Sequence, residues 1–305
     1  MLNIVFFGTP DIGLKSLEYL HNSPSFNVMA VVTQPDKPSG RGQKLTPSPI
    51  KRFAVENGIE VFQPKSIRKE PEIIEALKAL KPDFFVTFAF GQILSQEVLD
   101  IPKHETINLH VSLLPKYRGA NPIQRAIING DKETGICTMI TELGLDCGDI
   151  CMTHPIEITA NMNCVELFEI CASESPKLLE KTLLGLVDGT ITPTKQCEDG
   201  VCFADKLQKE ECKIDWNKSA QEIHNLVRGV YKCPSAFFEY QGKIVKVLET
   251  EPLDESHSGE IGEFVNISKL GIDVRTGNGT LRLIKVKPEG KGEMLARDWG
   301  NGLRN

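Results

Sequence analysis

Leu2-Asn3-Ile4-Val5-Phe6-Phe7-Gly8-Thr9-Pro10-Asp11 is an apolar run stopped by a turn. Such a run reads as a buried strand. Ile12, Leu14, Leu17 and Leu20 follow at helical spacing, and residues 28–33 form a second apolar run. Strand, turn, helix, strand is the opening of a doubly wound, mostly parallel α/β sheet. Gly8 and Gly13 lack the complete G-x-G-x-x-G spacing, and Thr33-Gln34 stand where a dinucleotide site needs a carboxylate. The two glycines therefore predict a tight strand-to-helix turn and count against an NAD-binding oxidoreductase.

Working outward, residues 83–89, 106–109, 134–143 and 150–158 read as further strands. Helices are expected at residues 50–57, opened by Ser48-Pro49, at 122–128, and at 164–186. Residues 190–205 are polar, without periodicity, and read as a linker. Beyond them, Ser219 with Glu222 makes the capping-box pattern before a helix. Short alternating runs then recur at 236–240, 244–249, 262–265, 271–275 and 280–286, punctuated by glycines. This spacing predicts a small OB-like β-barrel. The expected division is 1–189, 190–205 and 206–305.

The chain has 305 residues, 40% apolar and 25% charged, enough for two ordinary globular domains. It holds no apolar stretch of membrane-spanning length, and its opening residues do not resemble a secretory signal, so a cytoplasmic protein is expected. Nine cysteines occur without C-x-x-C spacing. They read as reduced, small apolar residues and no metal site is expected, although Cys147, Asp149, Cys151 and His154 lie close in sequence.

The net charge of −6 does not exclude a polyanionic partner, because basic groups cluster. Lys37, Arg41, Lys44, Lys51 and Arg52 lie in a stretch free of acidic residues. Residues 34–49 also carry four prolines and two glycines, which predicts a functional or mobile loop with no regular element.

The chemistry centres on Ile107-Asn108-Leu109-His110. Alternation sends Asn108 and His110 to one face of a strand end. An amide donor beside an imidazole suits polarising a carbonyl and handling a proton. A second polar turn, Gly144-Leu145-Asp146-Cys147-Gly148-Asp149, also follows a strand. Asp146 or Asp149 could pair with His110 and favour its imidazolium.

The run Ser112-Leu113-Leu114-Pro115-Lys116-Tyr117-Arg118-Gly119-Ala120-Asn121-Pro122, with Phe-Phe-Gly-Thr-Pro at 6–10, Gln-Pro-Asp-Lys-Pro at 34–38, Phe-Gln-Pro at 62–64, Ala-Phe-Gly at 89–91, Gly-Leu-Asp-Cys-Gly-Asp at 144–149, Ile-Asp-Trp at 214–216 and Val-Arg-Gly at 227–229, resembles the methionyl-tRNA formyltransferase family over nearly the whole chain. Val111 departs from the smaller residue common there, and the tail at 296–301 has no assigned part. The resemblance implies a Rossmann-like catalytic domain followed by an OB-like tRNA-binding domain. It implies formyl transfer from 10-formyltetrahydrofolate to the amine of initiator methionyl-tRNA, without a metal, by a monomer. Asn108, His110 and Asp146 match the catalytic trio. Ser112, Leu113, Leu114 and Pro115 match the folate-binding turn, and Phe88, Phe90 and Gly91 are expected beside the folate ring. Arg41, with Lys37 and Lys44, is expected to meet tRNA. A formyltransferase for another amine, such as a nucleotide sugar, would leave the basic loop and the barrel without use. A non-catalytic RNA-binding module would leave Asn108, His110 and Asp146 without a reason.

Overall fold

A computed structural model describes residues 1–39, 44–232, 234–253, 255 and 258–303. The chain divides into two compact units. The first comprises Met1–Gly119, Thr134–Ile156 and Phe168–Phe203. Its centre is a seven-stranded sheet in the order Ile150–Glu157, Glu133–Ile140, Glu105–His110, Phe84–Phe88, Leu2–Gly8, Phe26–Val32, Glu60–Phe62. From Glu105–His110 to Glu60–Phe62 every neighbouring pair is parallel, while Glu105–His110 meets Glu133–Ile140 antiparallel. Phe84–Phe88 and residues 4–8 are buried without alternation, as expected where helices cover both faces.

The chain builds from Leu2–Gly8 outward through Phe26–Val32 to Glu60–Phe62, then returns to the opposite side of Leu2–Gly8 as Phe84–Phe88. Strand order therefore reverses between these two strands, and ligands of such sheets bind outside their carboxyl ends at that reversal. Gly8 sits there opposite Phe88. A Cβ on Gly8 would stand 2.8 Å from the Phe6 ring and 3.2 Å from the Phe88 carbonyl oxygen, so close packing requires glycine. This is the tight-turn role expected from the sequence.

One expectation is corrected. Residues 34–49 are not wholly irregular: Lys37–Ser39 pairs antiparallel with Lys44–Thr46 as a short ribbon. Proline does not forbid this, because the pairing is brief and Pro38 lies on an isolated two-stranded edge. Residues 190–205, read as a linker, are tied to the first unit at one point. Thr194 exchanges both backbone hydrogen bonds with Ile150, at 2.8 and 2.9 Å, at the margin of the sheet. A lone bridge leaves no periodicity to read. The helices Pro71–Leu80 and Gln96–Leu99 and the strand Glu60–Phe62 fill stretches that the sequence reading leaves unassigned.

The second unit comprises Ala120–Glu133, Glu157–Leu167 and Ala204–Asn305. Its strands run in the order Ala236–Tyr240, Lys243–Leu253, Thr280–Pro288, Gly271–Arg275, Phe264–Ser268, all neighbours antiparallel, with Met294–Leu295 added to Thr280–Pro288. Helix Ala220–Gly229 begins in the full capping box, Ser219 accepting from the Glu222 amide and Glu222 from the Ser219 amide. Its Ile223 and Val227 enter the core with Phe238, Val247, Leu281 and Leu283. The tail gains a part here. Helix Ala296–Asn301 buries Trp299, whose ring meets Phe238, Tyr240 and Phe264 at centroid distances of 6.2, 5.4 and 5.9 Å.

Candidate active site

Asn108 and His110 end the strand Glu105–His110, beside Phe84–Phe88 in the parallel part of the sheet. The Thr87 hydroxyl donates to Asn108 Oδ1 at 2.8 Å. That bond fixes the amide so that its NH2 faces away from Thr87. A donor held this way can meet negative charge without reorganising.

His110 is buried, and each ring nitrogen has a defined neighbour. Nε2 donates to the Tyr117 carbonyl at 2.9 Å, a bond that a carbonyl can only accept. Nδ1 faces Asp146 Oδ2 at 3.6 Å, just beyond hydrogen-bond length. The same oxygen accepts from the Gly119 amide at 2.8 Å. Asp146, not Asp149, is thus the carboxylate brought to the imidazole. Asp149 instead offers its backbone carbonyl to the Ile140 amide at 2.9 Å. Asp146 holds a left-handed backbone, φ +46°, which is uncommon outside glycine. Such positions concentrate at functional sites.

The turn after the strand is built locally. Ser112, buried, donates from its hydroxyl to the Lys116 carbonyl at 2.6 Å. Leu113 packs on Gly135, where a Cβ would stand 2.5 Å from a leucine methyl. Leu114 packs with Cys137 and Met139, and the bond to Pro115 is cis. Phe90 joins the core beside Phe7, centroids 5.3 Å apart, and Phe88 is fully buried. Both rings therefore belong to the core at this end of the sheet. The Phe90 carbonyl accepts from Gln34 Nε2 at 3.1 Å and Thr9 Oγ1 at 3.2 Å, and Gly91 turns away at φ +80°. Thr9 and Gln34 stand in the motifs at 6–10 and 34–38 without an assigned part, and Thr87 stands in none; all three shape this end of the sheet.

Lys37 and Lys44 are exposed on the ribbon. Lys51 is occupied by Asp36 at 2.8 Å, a contact that also lowers the Asp36 carboxyl below its ordinary value together with the Gln63 amide. Arg41 lies outside the described residues. Burial pushes the Cys137 thiol up to about 11 and the Cys151 and Cys171 thiols up to about 12, so these three act as small apolar groups. Among the described residues no His, Cys, Asp or Glu cluster could hold a metal ion.

Residues 2–183 match the family described as formyl transferase, and residues 206–304 match that described as formyl transferase, C-terminal domain. The chain belongs to the formyltransferase family. Among its relatives is a protein of Clostridium novyi (strain NT) named methionyl-tRNA formyltransferase, 46% identical, with 99% of this chain and 97% of the relative covered. A protein of the same name from Clostridium perfringens (strain 13 / Type A) is also 46% identical over the same shares. The solved N-formyltransferase of Helicobacter canadensis, in complex with folinic acid and dTDP-3-aminofucose, aligns with a TM-score of 0.68 at 21% identity, covering 93% of this chain and 99% of that one. That likeness concerns the fold. At the strand ends and the loop beside them, this chain brings together one oriented amide, one buried imidazole and one carboxylate.

Proposed function

We propose that this chain transfers the formyl group of 10-formyltetrahydrofolate to the free amino group of methionyl initiator tRNA, yielding N-formylmethionyl-tRNA for translation initiation. The observation that carries the chemistry is the Asn108 amide, locked by Thr87 beside the His110–Asp146 pair. Relatives of that name at 46% identity across 99% of the chain support the substrate.

The cosubstrate supplies an electrophilic formyl carbon. Asn108 Nδ2 donates to the formyl oxygen as negative charge gathers there, a contribution of about 3 kcal/mol for one such donor in other enzymes. The attacking amine forms the new C–N bond and gives up a proton, while the bond from the formyl carbon to N10 of the folate breaks and N10 leaves carrying a proton, as tetrahydrofolate. Asp146 takes that proton through a water and the proton passes on to the departing N10, while the His110 imidazole, held by Tyr117 and facing Asp146, supports the charge on the formyl oxygen. Tyr117 O and Gly119 N–H hold the two groups in register meanwhile.

Phe88, Phe90 and Leu114 supply an apolar floor for the folate ring, with Gly91 and the Ser112-Leu113-Leu114-Pro115 turn beside it. Lys37, Arg41 and Lys44 bind tRNA phosphates. The six-stranded sheet closes as an OB-like barrel that adds tRNA affinity without chemistry. On this reading residues 1–189 are catalytic, 190–205 connect, and 206–305 bind tRNA, in a cytoplasmic monomer. The test is formylation of methionyl-tRNA with 10-formyltetrahydrofolate, run beside free methionine. Product from the tRNA alone is expected; no product from methionyl-tRNA overturns the reading.

A further inference from the structure

Gln196 lies in the polar stretch that the sequence marks as a mere connection, yet it reaches the candidate site. Its Nε2 donates to two carbonyls of the catalytic loop, Asp146 O and Gly148 O, each at 2.8 Å. Its Oε1 accepts from Arg118 Nε at 3.1 Å and from a terminal guanidinium nitrogen at 2.8 Å. Both ends of the amide are thereby used. A flipped amide would set NH2 against a guanidinium and oxygen against two carbonyls, so its orientation is fixed by the network.

Arg118 belongs to the segment that holds the other two groups. Tyr117 O accepts from His110 Nε2, and Gly119 N–H donates to Asp146 Oδ2. Arg118 itself is buried, and its amide is anchored on Cys202 O at 2.9 Å. The Asp146 loop has little packing of its own: the flanking Leu143 and Leu145 are 62% and 58% exposed. Its left-handed turn at Asp146 needs an outside restraint.

We infer that Gln196 is a positioning residue, which clamps the Asp146 loop onto the Arg118 segment and so sets the carboxylate against the His110 ring. The inference rests on the formyl-transfer reading for its activity readout only. Gln196→Glu keeps the size and the arginine partner but replaces the donor to both carbonyls by an oxygen. Gln196→Ala removes both ends.

The test uses the full chain. For Gln196→Glu and Gln196→Ala one measures kcat and KM for methionyl-tRNA, melting temperature, and the ¹⁵N resonances of the His110 imidazole. In a folded variant kcat should fall at least about tenfold with KM within about twofold, and the His110 resonances should move. Coupling to Asp146→Asn should be strongly non-additive, since both changes disturb one unit. Unchanged kcat and unmoved His110 resonances would overturn the proposal. So would a loss that is additive with Asp146→Asn and matched by a lowered melting temperature in both variants. An inactive wild-type protein would sink the formyl-transfer reading instead, while the His110 resonances would still report on the clamp.

Discussion

Asn108, His110 and Asp146 differ in what holds them, and that difference sets what their loss should do. Asn108 is tied by one side-chain bond from Thr87 and keeps an NH2 for a ligand. His110 and Asp146 are tied to backbone atoms of one segment, Tyr117 and Gly119. Removing either side chain leaves those backbone groups near their places. We expect His110→Ala and Asp146→Ala each to lower kcat by about 10² to 10⁴. Asp149→Ala should stay within about threefold, because its carboxylate is not the one beside the imidazole. Steady-state rates with methionyl-tRNA check this; a harmless Asp146→Ala beside a damaging Asp149→Ala would reassign the base. At this scale the sequence is informative where alternation applies. Two residues apart on an apolar strand must share a face, so Asn108 and His110 are legible. Gln196 is not, because its bonds to residues 50 and 48 positions away are made to carbonyls that any residue carries.

Elements follow the same division. The buried strands announce themselves by runs such as Phe84–Phe88, and the helix Ala220–Gly229 by its capping box. The ribbon Lys37–Ser39 with Lys44–Thr46 does not, since Pro38 and the loop glycines obscure so short a pairing. It nonetheless presents Lys37 and Lys44 to solvent, while Lys51 is paired with Asp36. Replacing Lys37 and Lys44 together by alanine should raise KM for methionyl-tRNA and lower the salt slope of tRNA binding by about 2, leaving folate affinity unchanged. An unaltered slope would remove the ribbon from tRNA recognition. Within the second unit, His224 offers a pH test. It is buried, with Nδ1 on Thr250 Oγ1 at 2.9 Å and Nε2 donating to Ala160 O at 3.3 Å. Burial chiefly, with the nearby Arg228 charge, lowers its value below the ordinary 6.5, while the Ala160 and Thr250 bonds and Glu251 oppose this. The unfolded chain therefore binds the proton first on acidification, and stability falls as pH drops through about 6.5. Melting temperatures between about pH 7.5 and 5.5 should decline more steeply in the native protein than in His224→Gln. Parallel declines would show that His224 does not titrate on unfolding.

The chain path through the whole molecule limits how far a sequence-based domain division can be used as a cut. Residues 1–205 read as a complete catalytic portion with its connection. The compact units are interleaved instead, because Ala120–Glu133 and Glu157–Leu167 belong with Ala204–Asn305. Helix Pro122–Ile128 packs on Ala220–Gly229, and Gly229 stands so close to Ile128 that a Cβ there would meet its side chain at 2.6 Å. Arg228 further spans to the carbonyls of Thr159 and Met162, at 3.4 and 3.0 Å. Arg125 meets Glu211 at 2.7 Å, which keeps that carboxyl below its ordinary value. A fragment ending at residue 205 loses all of these partners. It bares Ile128, and it leaves the carbonyls of 159 and 162 without their guanidinium. We therefore expect the fragment to melt at least about 5 °C below the full chain and to bind a hydrophobic dye, with tRNA affinity lost. Calorimetry, dye fluorescence and folate titration on the fragment test this. A fragment that melts with the full chain would mean that the two early segments are held by the first unit alone, and the interleaved path would have no energetic weight.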